Sequence, residues 1–125
     1  MSEKDAKTLN TIFSGIEVGG GKKIQKSKTY MPLSLDRLAE NVFAMAHNYV
    51  QEGDLIPDPD MELFRDKNGN WYPAAIQMAI GTYTRAIYLD DTGEHIEKYS
   101  PRAYAELRSF LVGWLKNIRI QKGIK

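Results

Sequence analysis

Four acidic residues lie within nine positions of one another in the middle of the chain: Asp54, Asp58, Asp60 and Glu62. Carboxylates grouped on a turn can hold a hard cation such as Ca²⁺ or Mg²⁺. Their spacing lacks the pattern of an EF-hand, however, and Asp side chains commonly start turns by binding nearby backbone N–H groups. We therefore expect no metal here. Residues 29–66 hold eight acidic and two basic side chains, which favours an acidic surface for a basic partner.

Basic residues gather near both ends of the chain. The glycine-rich stretch at 17–28 carries Lys22, Lys23 and Lys26, and a stripe of Lys116, Arg119 and Lys122 follows at three-residue steps near the C-terminus. The glycine-lysine stretch is not a phosphate-binding loop, because Ile16 stands where the first glycine is needed and Lys23 where the hydroxyl is needed. The six residues could contact nucleic acid or an acidic protein, or could be a solvated loop and a favourable helix end.

Nothing in the spacing of nucleophiles and bases indicates an enzyme. The two histidines, His47 and His95, lie 48 residues apart and stand in none of the common catalytic motifs. Cysteine is absent, which excludes thiol nucleophiles and thiolate metal sites. We expect a protein without catalytic residues, cofactor or metal.

Aromatic residues supply a third kind of candidate. Trp71 and Tyr72 open a stretch that reads as a strand, and more tyrosines follow up to Tyr104. Exposed aromatic side chains of a sheet can stack on bases, but alternation must turn about half of them into the core. A protein-binding surface is favoured, since Trp and Tyr are enriched among the residues that dominate binding energy.

Length and composition frame these candidates. The chain has 125 residues, 42% of them hydrophobic and 26% charged, and a formal net charge of +1. This composition is typical of one globular domain, here 1–125 with a partly flexible segment at 1–28. The polar N-terminus is unlike a secretory signal, and no apolar stretch reaches the roughly 20 residues of a bilayer span. We expect a cytoplasmic protein that does not bind membranes.

The hydrophobic pattern predicts the elements that position the candidates. A first helix is expected over about 5–14 and a second over 34–53, with Ser34 as N-cap and Gly53 as C-cap residue. Pro57 and Pro59 predict a rigid turn at 54–60. Strands follow at 61–66, 71–78 and 82–89, with a short one at 94–99, and a last helix begins at Ser100 and Pro101. The fold class is therefore α+β in the order α-α-β-β-β-(β)-α, a three- to four-stranded antiparallel meander covered on one face by helices.

Several short motifs resemble a known family. They are Glu52-Gly53-Asp54-Leu55, Asp58-Pro59-Asp60-Met61, Asn68-Gly69-Asn70-Trp71-Tyr72-Pro73 and Trp114-Leu115-Lys116-Asn117-Ile118. Together they resemble a small domain family of unknown function carried on plasmids, integrative conjugative elements and phages of gut bacteria. The resemblance implies a genomic setting and no catalytic residues.

These observations lead to one hypothesis and one alternative. The hypothesis is a non-enzymatic accessory protein of a mobile genetic element that binds a host or element-encoded protein stoichiometrically, as inhibitors of host defence of the anti-CRISPR or anti-restriction type do. Its binding residues would be Asp54, Asp58, Asp60, Glu62, Trp71 and Tyr72. The alternative is a nucleic-acid-binding module that uses Lys22, Lys23, Lys26, Lys116, Arg119 and Lys122. Neither interpretation fixes the oligomeric state.

Overall fold

The computed structural model describes residues 1–25, 31–78 and 81–124. Its elements, in chain order, are helix α1 (Glu3–Ile12), strands β1 (Gly21–Ile24), β2 (Leu33–Arg37), β3 (Val42–Gln51), β4 (Asp54–Arg65), β5 (Trp71–Gln77), β6 (Tyr83–Arg85), β7 (Ile87–Leu89) and β8 (Ile96–Tyr99), and helix α2 (Pro101–Lys122). No helix formed by the described residues combines the length and the apolar character needed to cross a membrane.

Six strands form one antiparallel sheet in the order β1-β2-β3-β4-β5-β6, and β7 pairs with β8 in a separate two-stranded ribbon. The α+β class is confirmed. The predicted three- to four-stranded sheet and the two N-terminal helices are wrong, because in the described residues a single helix precedes a six-stranded sheet. Within this sheet each strand pairs with the next along the chain, which is the order of a meander.

The predicted second helix at 34–53 is instead strands β2 and β3. The buried side chains alternate along these strands, as strand geometry requires: Leu33, Leu35, Phe43, Met45 and His47. Ala44 and Ala46 lie between the buried residues of β3 and are also apolar. They hide the alternating pattern, so the sequence of this segment is compatible with a helix. Gly53 is no helix cap, since Glu52 and Gly53 both have positive φ and form the two-residue turn between Gln51 and Asp54.

The predicted rigid turn at 54–60 is also wrong, because these residues open strand β4. Pro57 pairs with Asn48 beside an irregularity in the β3–β4 register. On its other side, the pairs that the described residues of β4 and β5 form begin at Asp60, beyond both prolines. Prolines are tolerated at such edges and irregularities.

Other predictions agree with the structure. A turn at Asp66–Asn70 joins β4 to β5, with Gly69 at a φ of 87°, and α2 begins after Ser100, whose hydroxyl accepts a bond from the Ala103 N–H. The predicted strand at 82–89 divides at Ala86, whose N–H bonds to the carbonyl of Ala74. The chain leaves the main sheet at this residue and enters the ribbon.

The helices cover one face of the sheet and enclose the core. Trp71 illustrates the packing: its ring stacks on Phe13 of the α1 end at 5.5 Å and contacts Phe43 of β3 at 4.9 Å. Its indole N–H donates to the side chain of Asn10 over 2.9 Å. Arg65 lies over the Trp71 ring at 5.0 Å. The core residues of both helices pack on this face, and we call the opposite face of the sheet the open face.

Candidate functional site

The open face carries two rows of side chains that run across the strands. Within a row, each residue is the register partner of the next, from β2 to β6. The first row is Asp36, Ala44, Glu62, Ala75 and Arg85, and the second is Ser34, Ala46, Asp60, Gln77 and Tyr83. All ten line one concavity of about 450 Å³.

Small side chains form the floor of this concavity. Ala44 and Ala46 lie on the central strand β3, and Ala75 on β5. Alanine is depleted in strands, so strand propensity does not explain three of them at this place. Ala44 and Ala46 leave a channel between the side chains of β2 and those of β4, two interstrand spacings or about 10 Å apart. We call this channel the trough.

Carboxylates form both walls of the trough. Asp36 is exposed on β2, and Asp60 and Glu62 are partly buried on β4. Burial raises the pKa of Asp60, and the nearby charges of Asp36 and Glu62 raise it further. The trough therefore has a negative potential that a cation would relieve.

Arg85 of β6 neutralises only one of these carboxylates. Its guanidinium donates to Glu62 Oε2 over 3.0 Å, to the Tyr83 hydroxyl over 2.9 Å and to the Ile87 carbonyl over 2.9 Å. Partial burial lowers the pKa of Arg85, but the bonds to Tyr83 and Glu62 outweigh it and raise the pKa overall. Among the described residues, Asp36 and Asp60 form no ion pair.

A buried amide continues the trough beyond the alanines. Asn48 is 6% exposed, and its side-chain amide donates to the hydroxyl of Ser34 on β2. The trough thus offers carboxylate and amide groups above an apolar floor. In the described parts of the chain, no three His, Asp or Glu side chains are grouped so as to hold a metal ion.

The acidic and aromatic residues predicted to bind a partner do not form one surface. Asp60 and Glu62 lie in the trough, whereas the side chains of Asp54 and Asp58 on β4 are outside the described residues. Trp71 is 2% exposed, because its position in β5 turns it towards α1, so it belongs to the core. Tyr72 points the other way, and its hydroxyl donates to Asp66 Oδ2 over 3.4 Å. The Tyr72 ring lines a separate pocket.

The basic residues are also divided between the surface and the interior. Lys22 and Lys23 are exposed on β1 and Lys116 on α2, while Lys26 lies outside the described residues. The other two members of the stripe are engaged inside the protein. Arg119 donates to Asp5 and Thr8 of α1, each over 3.0 Å, and the buried Lys122 donates to the Met31 carbonyl over 2.7 Å. The stripe therefore presents one of its three cations to solvent.

Two charged residues of the trough are not among the predicted site residues. Asp36 lies in the segment wrongly predicted as a helix, and Arg85 lies in the predicted strand at 82–89, on the side expected to face solvent or a partner. Alternation of Leu33 and Leu35 with Ser34 and Asp36 was the signal that could have revealed the trough. It is a short signal, and the alanines of β3 obscure its continuation.

His47 is a structural residue of β3. It is 7% exposed, and its Nδ1 accepts a bond from the Trp114 indole N–H over 3.0 Å. Burial lowers the pKa of His47, and the charge of Lys122 lowers it further. The ring is therefore neutral at physiological pH, with its proton on Nε2.

Comparison with curated proteins and with solved structures finds no match. A family model described as a domain of unknown function, DUF6908, matches residues 4–124. The sequence motifs led to a domain family of unknown function, and to that extent the expectation is confirmed. Because the match covers nearly the whole chain, from α1 to the end of α2, the chain belongs to the DUF6908 family.

Proposed function

We propose that this protein is a non-enzymatic binding module whose trough receives a lysine or arginine side chain of a protein partner. The observation that carries the proposal is a pair of carboxylates, Asp36 on one wall of the trough and Asp60 diagonally opposite on the other, that have no cation from the described residues. Glu62 is already paired with Arg85, so two negative charges remain for a ligand.

The shape of the trough suits a long basic side chain. Such a side chain has an apolar stem and a charged head, and it buries the stem along an apolar surface. Ala44 and Ala46 supply that surface, and the carboxylates on β2 and β4 supply acceptors for the head. Hydrogen bonds between charged groups are about twice as strong as neutral ones, so the head would determine orientation as well as affinity.

The electrostatic strain at Asp60 also supports a binding role. Like charges placed together in a partly buried site reduce stability, and such sites are typical of functional surfaces. A bound cation would convert this repulsion into attraction. A purely structural sheet face has no need of three neighbouring carboxylates.

The proposal includes a setting and a target. The motif resemblance supports a role on a mobile genetic element, where the protein would act by stoichiometric binding of a host or element-encoded protein, such as a component of a defence system. A nucleic-acid partner is the weaker alternative. Of its proposed contacts, Arg119 and Lys122 are used inside the protein, which leaves Lys22, Lys23 and Lys116 among the described residues.

The experiment is a titration of ¹⁵N-labelled protein with short lysine- and arginine-containing peptides. Binding in the trough predicts chemical-shift changes centred on Ala44, Ala46 and Ala75. The double variant Asp36→Asn/Asp60→Asn should weaken binding at least about tenfold, since two charge-assisted bonds are lost.

A variant of equal net charge provides the control. Glu17→Gln/Asp91→Asn removes two exposed carboxylates away from the trough and should bind as the natural protein does. If both double variants lose affinity equally, the peptides respond to net charge and the trough is not the site. Shift changes confined to Lys22, Lys23 and Lys116 on addition of an oligonucleotide would instead favour the nucleic-acid alternative.

A further inference from the structure

A second pocket lies where the β7–β8 ribbon meets the start of α2. It has a volume of about 240 Å³ and is lined by Tyr72, Ile87, Ile96, Tyr99 and Tyr104. Tyr99 and Tyr104 are nearly perpendicular, with an interplanar angle of 81° and ring centroids 6.5 Å apart. We call this the tyrosine pocket. Tyr99 is 59% exposed, so the pocket opens to solvent.

Other aromatic rings of the protein already have a cation over their faces. Arg65 lies 4.8 Å from the Phe43 centroid and 5.0 Å from that of Trp71. Lys98 lies 4.9 Å from the centroid of Tyr88. Among the described residues, no cation occupies a ring face of the tyrosine pocket. One face of the Tyr72 ring stacks on Phe64, and Tyr99 and Tyr104 meet edge to face. The remaining negative ring faces are left for a ligand.

The lining decides which kind of cation fits. It is almost entirely apolar, and the polar atoms it contributes are tyrosine hydroxyls, of which that of Tyr72 donates to Asp66. A guanidinium or a primary ammonium would lose hydration at several N–H groups, for which the pocket offers only tyrosine hydroxyls as acceptors, and a buried donor left unsatisfied weakens binding. A quaternary ammonium has no N–H group and meets no such cost.

We infer that the tyrosine pocket binds a quaternary ammonium group. Its volume is below the roughly 300 Å³ at which pockets for free small ligands begin, so it takes the trimethylammonium head and not a whole metabolite. Such a head occurs on choline-type compounds and on trimethylated lysine side chains. This site does not depend on the trough, and its ligand differs from the one proposed there.

Two charged residues modulate the pocket in opposite directions. The Asp66 carboxylate, which accepts the Tyr72 hydroxyl, adds negative charge behind that ring. Arg108 lies close enough to Tyr104 to counter part of the rise that burial causes in its pKa. Removal of the Arg108 charge should therefore strengthen cation binding and leave a neutral ligand unaffected.

The test compares choline with 3,3-dimethylbutan-1-ol, which has nearly the same shape and no charge. Binding is followed by chemical-shift changes at Ile87, Ile96 and the tyrosine rings. We expect choline to bind about tenfold more tightly than the neutral alcohol, since a cation–π contribution of 1–2 kcal/mol corresponds to that ratio. Tyr99→Leu should abolish this preference, and because Tyr99 is largely exposed the variant should fold.

Further arms separate the sources of the ligand. A peptide with one trimethyl-lysine, compared with the same peptide unmethylated, tests the side-chain source, and Arg108→Gln should strengthen whichever cation binds. Shift changes at the tyrosine pocket with choline, or with the methylated but not the unmethylated peptide, support the inference and name the source. Equal affinity for choline and the neutral alcohol, or no shift with either cation, overturns it.

Discussion

Trp114 of α2 donates its indole N–H to Nδ1 of His47 on β3 over 3.0 Å, and the two rings meet edge to face at 5.4 Å. This bond joins the C-terminal helix to the centre of the sheet. It also fixes the tautomer of His47, because Nδ1 must be the acceptor. Protonation of Nδ1 would break the bond and place a charge beside Lys122.

The first prediction concerns acid stability. Because burial and Lys122 lower the pKa of His47, the unfolded chain binds a proton at this residue before the folded chain does. Stability should therefore fall as the pH drops below about 6.5, the ordinary histidine value. Urea unfolding at several values between pH 5 and 8 measures the slope of the free energy of unfolding against pH.

The variants His47→Gln and His95→Gln separate the two histidines. Replacement of His47 should remove the part of the slope just below pH 6.5, although it lowers stability at every pH by loss of packing. Replacement of His95, which is exposed beside a turn, should leave that part in place. The opposite pattern would mean that His47 does not control the transition.

The second prediction concerns Asp60. Its raised pKa means that the folded state holds this proton more tightly than the unfolded state, so stability falls as pH rises from about 3.8 through the folded pKa. Asp60→Asn should therefore raise the free energy of unfolding at pH 7, by a few tenths to about 1 kcal/mol after solvent screening. Chemical denaturation at pH 7 measures the gain, with the exposed Asp91→Asn as control. A loss of stability would show that Asp60 has a structural role.

The third prediction concerns the buried Lys122. Its ammonium donates to the Met31 carbonyl, and burial lowers the pKa of Lys122. Lys122→Ala should cost about 2–3 kcal/mol through the cavity it leaves. Lys122→Met keeps most of the volume and removes a buried charge, so it should cost much less. Thermal unfolding compares the two, and equal losses would mean that the charge, not the packing, is what stabilises.

The fourth prediction is a pair of glycine substitutions with opposite effects. A Cβ at Gly21 would meet the Asp36 carboxylate and lie 2.8 Å from the Leu35 carbonyl, so Gly21→Ala should destabilise by about 1–3 kcal/mol. A Cβ at Gly113 would meet nothing within 4 Å, and Gly113→Ala should stabilise α2 by up to about 1 kcal/mol. The denaturant midpoints of the two variants show whether each is more or less stable than the natural protein. A loss at Gly113 would reveal a contact made at this face of the helix in solution.

The parts of the fold that could be predicted are those with local signals. Ser100 and Pro101 mark the start of α2 through capping chemistry, and Asn68-Gly69 marks a turn through positive φ. The segment at 34–53 could not be assigned correctly in this way, because Ala44 and Ala46 are apolar residues on the open face. Their spacing with Met45 and Val42 fits a helix as well as a strand, and only pairing with β2 and β4 decides between them.

The candidate site was predictable in part for the same reason. Asp60 and Glu62 were found as members of a local acidic cluster, but the trough also needs Asp36 and Arg85 from distant strands. Trp71 is a residue type that is common in binding surfaces, but its position in β5 directs its side chain into the core. The side of a sheet on which a residue lies follows from register, and an irregularity between the Glu62–Ala75 and Leu63–Pro73 pairs, with Ala74 as the extra residue, shifts that register within β5.

The position of β1 gives Lys22 and Lys23 a further consequence. In the described sheet, β1 is an outer strand, and its outward N–H and C=O groups could template pairing with another chain. Charged side chains, lysine above all, are the common protection of such an edge. The two lysines therefore disfavour edge-to-edge association of the sheet, with or without a ligand. This role explains their presence near the glycines without phosphate recognition.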